Sequence, residues 1–159
     1  MFYNLPVKIY EEKDCVFNHR DEMAKLGGRA LIVTGRSSSK KNGSLDDVIN
    51  ALADKKMEYV LFDEVEENPS VETVERAAEA FLASGADFIV ALGGGSPMDV
   101  AKAVGVVAKY GGSITEYEGA DKVPGEIIPL IAIPTTAGTG SEVTAFSVIT
   151  DHKRNYKLT

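Results

Sequence analysis

A glycine-rich turn follows an apolar run near the middle of the chain. Its sequence is GGGSPMD, residues 93–99, and the helical pattern MDVAKAVGVVAKYGG begins inside it. Three successive glycines cost conformational entropy on folding, but they let a ligand approach the backbone closely. The N-terminus of a helix also favours negative charge, so this segment, which we call the glycine turn, could bind an anion such as pyrophosphate.

The glycine turn also contains residues that mark the start of a helix. We predict Ser96 as the N-cap, Pro97 at the first helical position, and Asp99 returning a hydrogen bond to the cap. These residues would cap the helix with or without a ligand, so a tight turn with no binding role stays an alternative. The turn also lacks the GxGxxG spacing of the usual dinucleotide fingerprint and follows the third buried strand, not the first.

A second polar loop has the sequence PTTAGTGSE, residues 134–142, and we call it the hydroxyl loop. It contains four hydroxyl side chains, namely Thr135, Thr136, Thr139 and Ser141. Hydroxyl groups both donate and accept hydrogen bonds, which suits ribose, carboxamide and phosphate groups. The alternative is a hairpin turn whose side chains bond to its own backbone.

The elements that must position these loops follow from the hydrophobic pattern. Continuous apolar runs predict buried strands over residues 29–34, 58–62, 87–92 and 127–133, with Pro129 near the start or at an edge. Helical spacing predicts helices over residues 18–28, 45–56, 71–85 and 98–112, with Asn18 as the first N-cap and Gly85 as a C-terminal stop. Alternating polarity predicts an edge strand within residues 2–12 and a hairpin arm over 143–151.

Strands that alternate with helices predict an α/β fold. We expect a Rossmann-like open, mainly parallel sheet with helices on both faces, plus a β-hairpin. Right-handed crossovers place every strand-to-helix loop at one edge of such a sheet. The glycine turn, the hydroxyl loop and the loop TGRSSSKKNG at residues 34–43, the serine–lysine loop, should therefore converge on one site.

The overall composition is that of one soluble domain. The 159 residues carry a net charge of −7, which argues against nucleic acid as a partner because phosphate binding needs clustered Lys and Arg. The single cysteine, Cys15, cannot form an internal disulfide. We find no signal peptide and no apolar run of membrane-spanning length, and therefore expect a cytoplasmic protein. The N-terminal edge strand could pair with a second copy in a homo-oligomer.

At this point the sequence resembles a known family. ALGGGSPMDVAKA, followed about thirty residues later by AIPTTAGTGSEVT, is similar to the iron-containing (group III) alcohol dehydrogenases. The register of Asn68–Pro69 and of ITD near Lys157 matches too, so the resemblance covers essentially the whole chain. It implies hydride transfer between an alcohol or aldehyde and NAD(P)(H).

The resemblance also implies positions for the cofactor. The glycine turn would lie against the pyrophosphate and its ribose, the threonines of the hydroxyl loop would line the nicotinamide half, Lys157 would reach the cofactor, and Asn68 would lie beside the adenosine. The candidate cofactor-binding residues are Gly35, Arg36, Ser37, Ser38, Lys41, Asn68, Gly94, Gly95, Ser96, Pro97, Met98, Asp99, Thr135, Thr136, Thr139, Ser141 and Lys157.

The serine–lysine loop departs from many NAD-using relatives. They tend to have an aspartate just after the first buried strand, which binds the ribose 2′-hydroxyl and repels a 2′-phosphate. Here that position is Gly35, followed by Arg36, three serines and two lysines. Without a carboxylate that repels the 2′-phosphate, the local positive charge favours NADP(H) over NAD(H). The alternative is a charged loop that only faces water.

The resemblance further implies a second, all-helical domain that supplies histidines and an aspartate for a catalytic Fe²⁺ or sometimes Zn²⁺. Thr159 precedes those ligands, and His19 and His152 do not match them. We therefore expect residues 1–159 to be the nucleotide-binding domain, with the metal-binding domain absent from this chain. Such a chain should contain no catalytic or metal-ligating residue of its own and should be inactive alone.

Two other functions stay open. Glycerol dehydrogenases and dehydroquinate synthases resemble the same family and would keep the fold while changing the substrate. Alternatively, the chain could be a stand-alone nucleotide-binding module without catalysis.

Overall fold

The sheet that positions the loops has four parallel strands. The computed structural model describes residues 7–159. The strands are β1 (Arg29–Gly35), β2 (Glu58–Val65), β3 (Phe88–Gly93) and β4 (Leu130–Pro134), in the order β2-β1-β3-β4. The predicted parallel sheet is confirmed, and Pro129 directly precedes β4 as expected.

Six α-helices accompany this sheet in the described residues. They are α1 (Cys15–Asn18), α2 (Arg20–Ala24), α3 (Ser38–Lys41), α4 (Ser44–Asp54), α5 (Val71–Ser84) and α6 (Gly95–Tyr110). Short 3-10 helices lie at Ile114–Tyr117 and Ser141–Val143. Throughout residues 7–159, every helix is too short or too polar to cross a lipid bilayer.

Apolar side chains on the two faces of the sheet form two cores. One core packs α5 and α6 against alternate residues of β1 and β3, such as Leu31 and Ile89. The other packs α2 and α4 against the intervening residues, such as Ile32 and Val90. Because successive side chains of a strand point to opposite faces, a continuous apolar strand fills both cores at once.

Local capping fixes the ends of α5. The Ser70 hydroxyl accepts a hydrogen bond from the Thr73 backbone N–H at 3.2 Å, as an N-cap does. Gly85 ends the helix with φ 68°, a conformation that glycine adopts without a steric penalty. The predicted stop at Gly85 is confirmed.

The N-terminal region differs from the sequence expectation. The edge strand predicted within residues 2–12 lies partly outside the described residues, and residues 7–12 form no strand. Asn18 ends α1 and does not cap a helix, and its side-chain amide donates to the Lys13 carbonyl at 3.1 Å. A left-handed Asp14 starts α1, and the non-helical backbone of His19 separates α1 from α2.

The hairpin arm predicted over residues 143–151 is also shorter than expected. Only β5 (Ile149–Asp151) is a strand, and it pairs antiparallel with β6 (Tyr156–Leu158). In the preceding stretch, the backbone carbonyl of Phe146 accepts a hydrogen bond from the Lys102 ammonium at 2.9 Å. A side chain from α6 therefore takes an acceptor that a longer strand would offer to a partner strand.

Gly93 connects β3 to α6 and should not tolerate a side chain. Its φ is +136°, and a Cβ atom there would lie 3.0 Å from Pro97 Cγ. We expect Gly93→Ala to lower the free energy of unfolding in urea by about 1–3 kcal/mol, because a rare backbone conformation and a close contact combine. Gly28→Ala is the control, since a Cβ there meets nothing within 4 Å, and an equal loss in both variants would contradict this account.

Candidate functional site

The order of the strands creates a topological switch point at one edge of the sheet. From β1 the chain crosses to β2 on one side and then returns to β3 on the other, so the crossovers change direction between β1 and β3. In open α/β sheets, ligands bind outside the carboxyl ends of the strands at such a switch point. The serine–lysine loop follows β1 and the glycine turn follows β3, so the two loops flank this switch point.

The glycine turn starts its helix earlier than predicted. Gly94 is the N-cap of α6, and no side chain caps that end of the helix. The prediction of Ser96 as N-cap is therefore wrong, and Pro97 lies inside the first turn, where a backbone N–H would have no helical partner. Without a side-chain cap, the N-terminal turn of α6 keeps main-chain donors that an anion could use.

Asp99 does not return a bond to a cap either. Its carboxylate accepts a hydrogen bond from the Ser141 hydroxyl at 2.8 Å, and its backbone carbonyl accepts one from the Ser147 hydroxyl at 2.7 Å. Met98 is fully buried in the core, so its side chain does not face the switch point. Any part that Met98 takes in binding must come from its main chain.

The hydroxyl loop packs directly on the glycine turn. The Thr135 N–H donates to the Gly93 carbonyl at 2.8 Å, which continues the pairing of β4 with β3. A Cβ atom on Gly94 would lie 3.1 Å from the Thr136 hydroxyl oxygen, and one on Gly95 would lie 3.6 Å from Thr139 Cβ. The lack of side chains at Gly94 and Gly95 therefore serves the close packing of the two loops.

Sequence reasoning missed a buried lysine beneath the hydroxyl loop. Lys102 is 9% exposed, and its ammonium donates to the Ser141 hydroxyl at 3.0 Å, the Thr144 hydroxyl at 3.1 Å and the Phe146 carbonyl. Burial lowers the pKa of Lys102, although the nearby carboxylates of Asp99 and Glu142 act in the opposite direction. The signal in the sequence was a lysine inside the otherwise apolar helical run VAKAVGVV.

The serine–lysine loop is partly helical. Residues 38–41 form α3, and the buried Ser39 hydroxyl bonds to that of Thr34 at 2.7 Å. Lys40 forms an ion pair with Asp63, which neutralises one of the positive charges of the serine–lysine loop. Arg36 and Lys41 are exposed and form no ion pair within residues 7–159, so their charges face the solvent near the carboxyl end of β1.

The hairpin brings two further candidate residues together. Lys157, on β6, donates to the side-chain oxygen of Asn68 at 3.3 Å, although 89 positions separate them. Asn68 follows β2 with a φ of 52°, and the Thr150 N–H donates to the neighbouring Pro69 carbonyl at 2.8 Å. Lys157 and Asn68 therefore lie at the same end of the sheet as the three loops.

An acidic residue fixes the turn of this hairpin. Asp151 accepts hydrogen bonds from the Lys153 N–H at 3.0 Å and from the Arg154 guanidinium at 2.6 Å. The hydrogen bond from Arg154 holds the pKa of Asp151 below its usual value, and partial burial opposes that shift. The position of Lys157 thus depends on a charge pair whose members lie six and three residues before it in the sequence.

An apolar groove of about 1880 Å³ is lined in part by the hydroxyl loop. Its walls include Ile131 and Ile133 of β4, and Thr135 and Thr136 stand where the groove meets the carboxyl edge of the sheet. The hydroxyl loop therefore both packs on the glycine turn and lines the apolar groove.

The described residues offer no donor set for a transition metal. Residues 7–159 bring together no group of three or more His, Cys, Asp or Glu side chains that could bind one. His19 stacks on Tyr10 at a ring distance of 3.9 Å and pairs with Glu12, whereas His152 is exposed on the hairpin turn. An iron ion does not fit the residues described in this structure.

The strand order and the helices on both faces define an open α/β domain with a topological switch point at the carboxyl edge of its sheet. The family model for iron-containing alcohol dehydrogenases matches residues 6–159. The chain belongs to this family, and the resemblance stated from its two motifs is confirmed.

Individual relatives agree with this assignment. The chain is 45% identical over 160 residues to a choline dehydrogenase of Bacillus subtilis, covering 98% of this chain and 40% of the relative. It is 38% identical over 170 residues to an NADPH-dependent butanol dehydrogenase of Clostridium saccharobutylicum, covering 99% and 40%. The chain therefore spans about 40% of the length of these relatives.

Solved structures confirm the fold. The structure of an iron-containing alcohol dehydrogenase superposes with a TM-score of 0.89 at 45% identity, covering 99% of this chain and 44% of the other. The NADH-dependent butanol dehydrogenase A of Thermotoga maritima superposes with a TM-score of 0.90 at 29% identity, covering 99% and 40%. The family thus includes members named for NADPH and members named for NADH.

The Asp151–Arg154 pair predicts a pH-dependent contribution to stability. Because the pKa of folded Asp151 is lowered, its carboxylate stabilises the fold above the usual range for aspartate, and this contribution disappears as the pH falls through the lowered pKa. We expect Asp151→Asn to lower the free energy of unfolding at pH 7 and to converge with the parent chain at low pH. Denaturant titrations between pH 7 and pH 2 would measure the difference.

Glu79→Gln is the control for this experiment, since Glu79 is exposed on α5. Its difference from the parent chain should stay small and flat across the same pH range. A constant difference for Asp151→Asn at every pH would show that the charge on Asp151 does not act as described.

Proposed function

We propose that this chain binds NAD(P)(H) across the carboxyl edge of its sheet, as the cofactor-binding part of an alcohol dehydrogenase. When bound, the cofactor supplies a hydride acceptor or donor for an alcohol or aldehyde substrate. The observation that carries this proposal is the packing of the hydroxyl loop on the uncapped N-terminus of α6, at the switch point of the sheet. Membership of the iron-containing alcohol dehydrogenase family supports it.

Different residues of the chain bind different parts of the cofactor. The main chain of Gly94, Gly95 and Ser96, at the start of α6, provides donors for the pyrophosphate. Thr136 and Thr139 are exposed on the hydroxyl loop, and their hydroxyls can orient the nicotinamide half by hydrogen bonds. Asn68 and Lys157 contribute an amide and a positive charge from the hairpin side of the edge.

Within this function we propose a preference for NADP(H). No carboxylate occupies position 35, and the exposed Arg36 and Lys41 can attract a 2′-phosphate. Lys40 is the weaker candidate because Asp63 already neutralises it. The exposed Ser37 and Ser38 add hydroxyl groups beside these charges.

We further propose that residues 1–159 are a nucleotide-binding domain and that the metal and most of the substrate pocket belong to a helical region outside this chain. Two findings support the division: the described residues contain no donor set for iron, and the chain spans about 40% of its relatives. A bound cofactor without a Lewis acid leaves the substrate hydroxyl un-ionised. The chain alone should therefore bind the cofactor without turning over.

Gly35→Asp tests the proposed cofactor preference. A Cβ atom at Gly35 would lie 3.7 Å from the Val65 carbonyl oxygen, which is an ordinary contact distance. The new carboxylate should repel a 2′-phosphate and raise the Kd for NADPH about tenfold, equivalent to about 1.4 kcal/mol, while leaving NADH unchanged or tighter. Fluorescence titration with both cofactors measures the ratio.

Gly35→Asn is the matched control, because it has the same shape without the charge. It should shift the ratio of the two Kd values much less than Gly35→Asp does. Tighter binding of NADH than of NADPH by the unchanged chain would contradict the proposed preference, and binding of neither would contradict the proposed function.

The division between domains has its own test. The purified chain with NADP⁺, Fe²⁺ and a panel of primary alcohols should show no reduction of the cofactor at 340 nm, although titration shows binding. Alcohol-dependent reduction by this chain alone would overturn the assignment of the metal site to another region.

A further inference from the structure

The strongest feature outside the proposed cofactor contacts is the buried ammonium group of Lys102. It donates to three acceptors, the hydroxyls of Ser141 and Thr144 and the carbonyl of Phe146, at distances between 2.9 and 3.1 Å. A lysine ammonium has three N–H donors, so these bonds satisfy it completely. Burying a charge costs free energy unless the charged group is paired or hydrogen-bonded. The buried Lys102 therefore requires its three acceptors to be in place.

The three acceptors lie on one stretch of chain with little regular structure. Between β4 and β5 the described structure has only the 3-10 helix Ser141–Val143. Backbone bonds to β3 fix the beginning of this stretch at Thr135, and Lys102 fixes its later part. The hydroxyl loop is therefore held at two points, and Thr136 and Thr139 lie between them.

Asp99 extends the same cluster along α6. It precedes Lys102 by three residues, so the two side chains lie on one face of the helix. The Ser141 hydroxyl accepts from Lys102 and donates to Asp99, and thus joins the two opposite charges. One turn of α6 therefore holds residues 141–147 through two charged side chains and the Asp99 carbonyl.

Resting on the proposed function, we propose that Lys102 is a positioning residue that holds the hydroxyl loop in the conformation that binds the nicotinamide half of the cofactor. Lys102 itself need not touch the cofactor. Without its three donors, residues 135–147 would keep only the bonds to Asp99 at their later part, and binding would have to order the loop. This ordering cost would weaken the binding of ligands that contact the hydroxyl loop. The affinity of ligands that do not contact it would stay the same.

Two nucleotide probes separate this role from general damage. NADPH contains the nicotinamide half, whereas 2′,5′-ADP lacks it and reaches only the adenosine side. In Lys102→Met, which replaces the ammonium by a side chain suited to a buried position, we expect the Kd for NADPH to rise about tenfold and the Kd for 2′,5′-ADP to change by less than about twofold. Calorimetric titration of the purified chain measures both.

Three further variants make the test specific. Lys102→Arg keeps the charge and donors and should recover part of the affinity for NADPH. Thr144→Val removes one acceptor at an exposed position, so it should fold and give a smaller loss in the same direction. Lys109→Met, at an exposed position on the same helix, should leave both Kd values unchanged.

Backbone hydrogen exchange supplies a readout that needs no ligand. In Lys102→Met, the N–H groups of residues 135–147 should exchange faster than in the parent chain, while those of β1 and β3 keep their protection. Equal weakening of both probes, or unchanged exchange in residues 135–147, would overturn the role of Lys102. A parent chain that binds neither probe would overturn the proposed function and with it the effect on affinity, whatever the exchange experiment gives.

Discussion

The close approach of the hydroxyl loop to the first turn of α6 is the contact on which the candidate site depends. It begins with the pairing of β4 and β3, which places Pro134 opposite Gly93 and lets the Thr135 N–H bond to the Gly93 carbonyl. Gly94 and Gly95 have no side chains, so Thr136 and Thr139 can lie against the backbone of the turn. Two loops about forty residues apart thus form one polar surface beside an apolar groove.

Charged residues lie beneath this surface and at its edges. Lys102 and Asp99 hold the later part of the hydroxyl loop from inside the molecule, where a buried charge is stable only with full hydrogen bonding. Arg36 and Lys41 lie exposed beyond β1, where they add little to stability and remain available to an anion. Although the chain carries a net charge of −7, its candidate site combines helix donors with nearby cations.

Family membership gives this surface its functional context. The chain belongs to the iron-containing alcohol dehydrogenases but spans about 40% of the length of the relatives it matches. Within residues 7–159 the sheet has a switch point flanked by polar loops, and these residues bring together no donor set for a metal. Under the proposed function, the hydride carrier and the Lewis acid are therefore held by different regions. The hydroxyl loop, which would bind the hydride carrier, also lines the apolar groove.

The sequence by itself determined the four parallel strands, the main helices, the α/β class and the family, because buried strands need continuous apolar runs and the two motifs are distinctive. Tertiary structure decided the details of the site. Local propensity favours Ser96 as the N-cap, but α6 begins at Gly95 with Gly94 as its N-cap, and packing of the hydroxyl loop on Gly94 and Gly95 accompanies this earlier start. In the sequence, Lys102 is only a lysine that interrupts an apolar helical run. In the structure it binds three acceptors that are 39 to 44 residues away along the chain. Long-range hydrogen bonds of this kind leave no local pattern, and so only the folded chain reveals them.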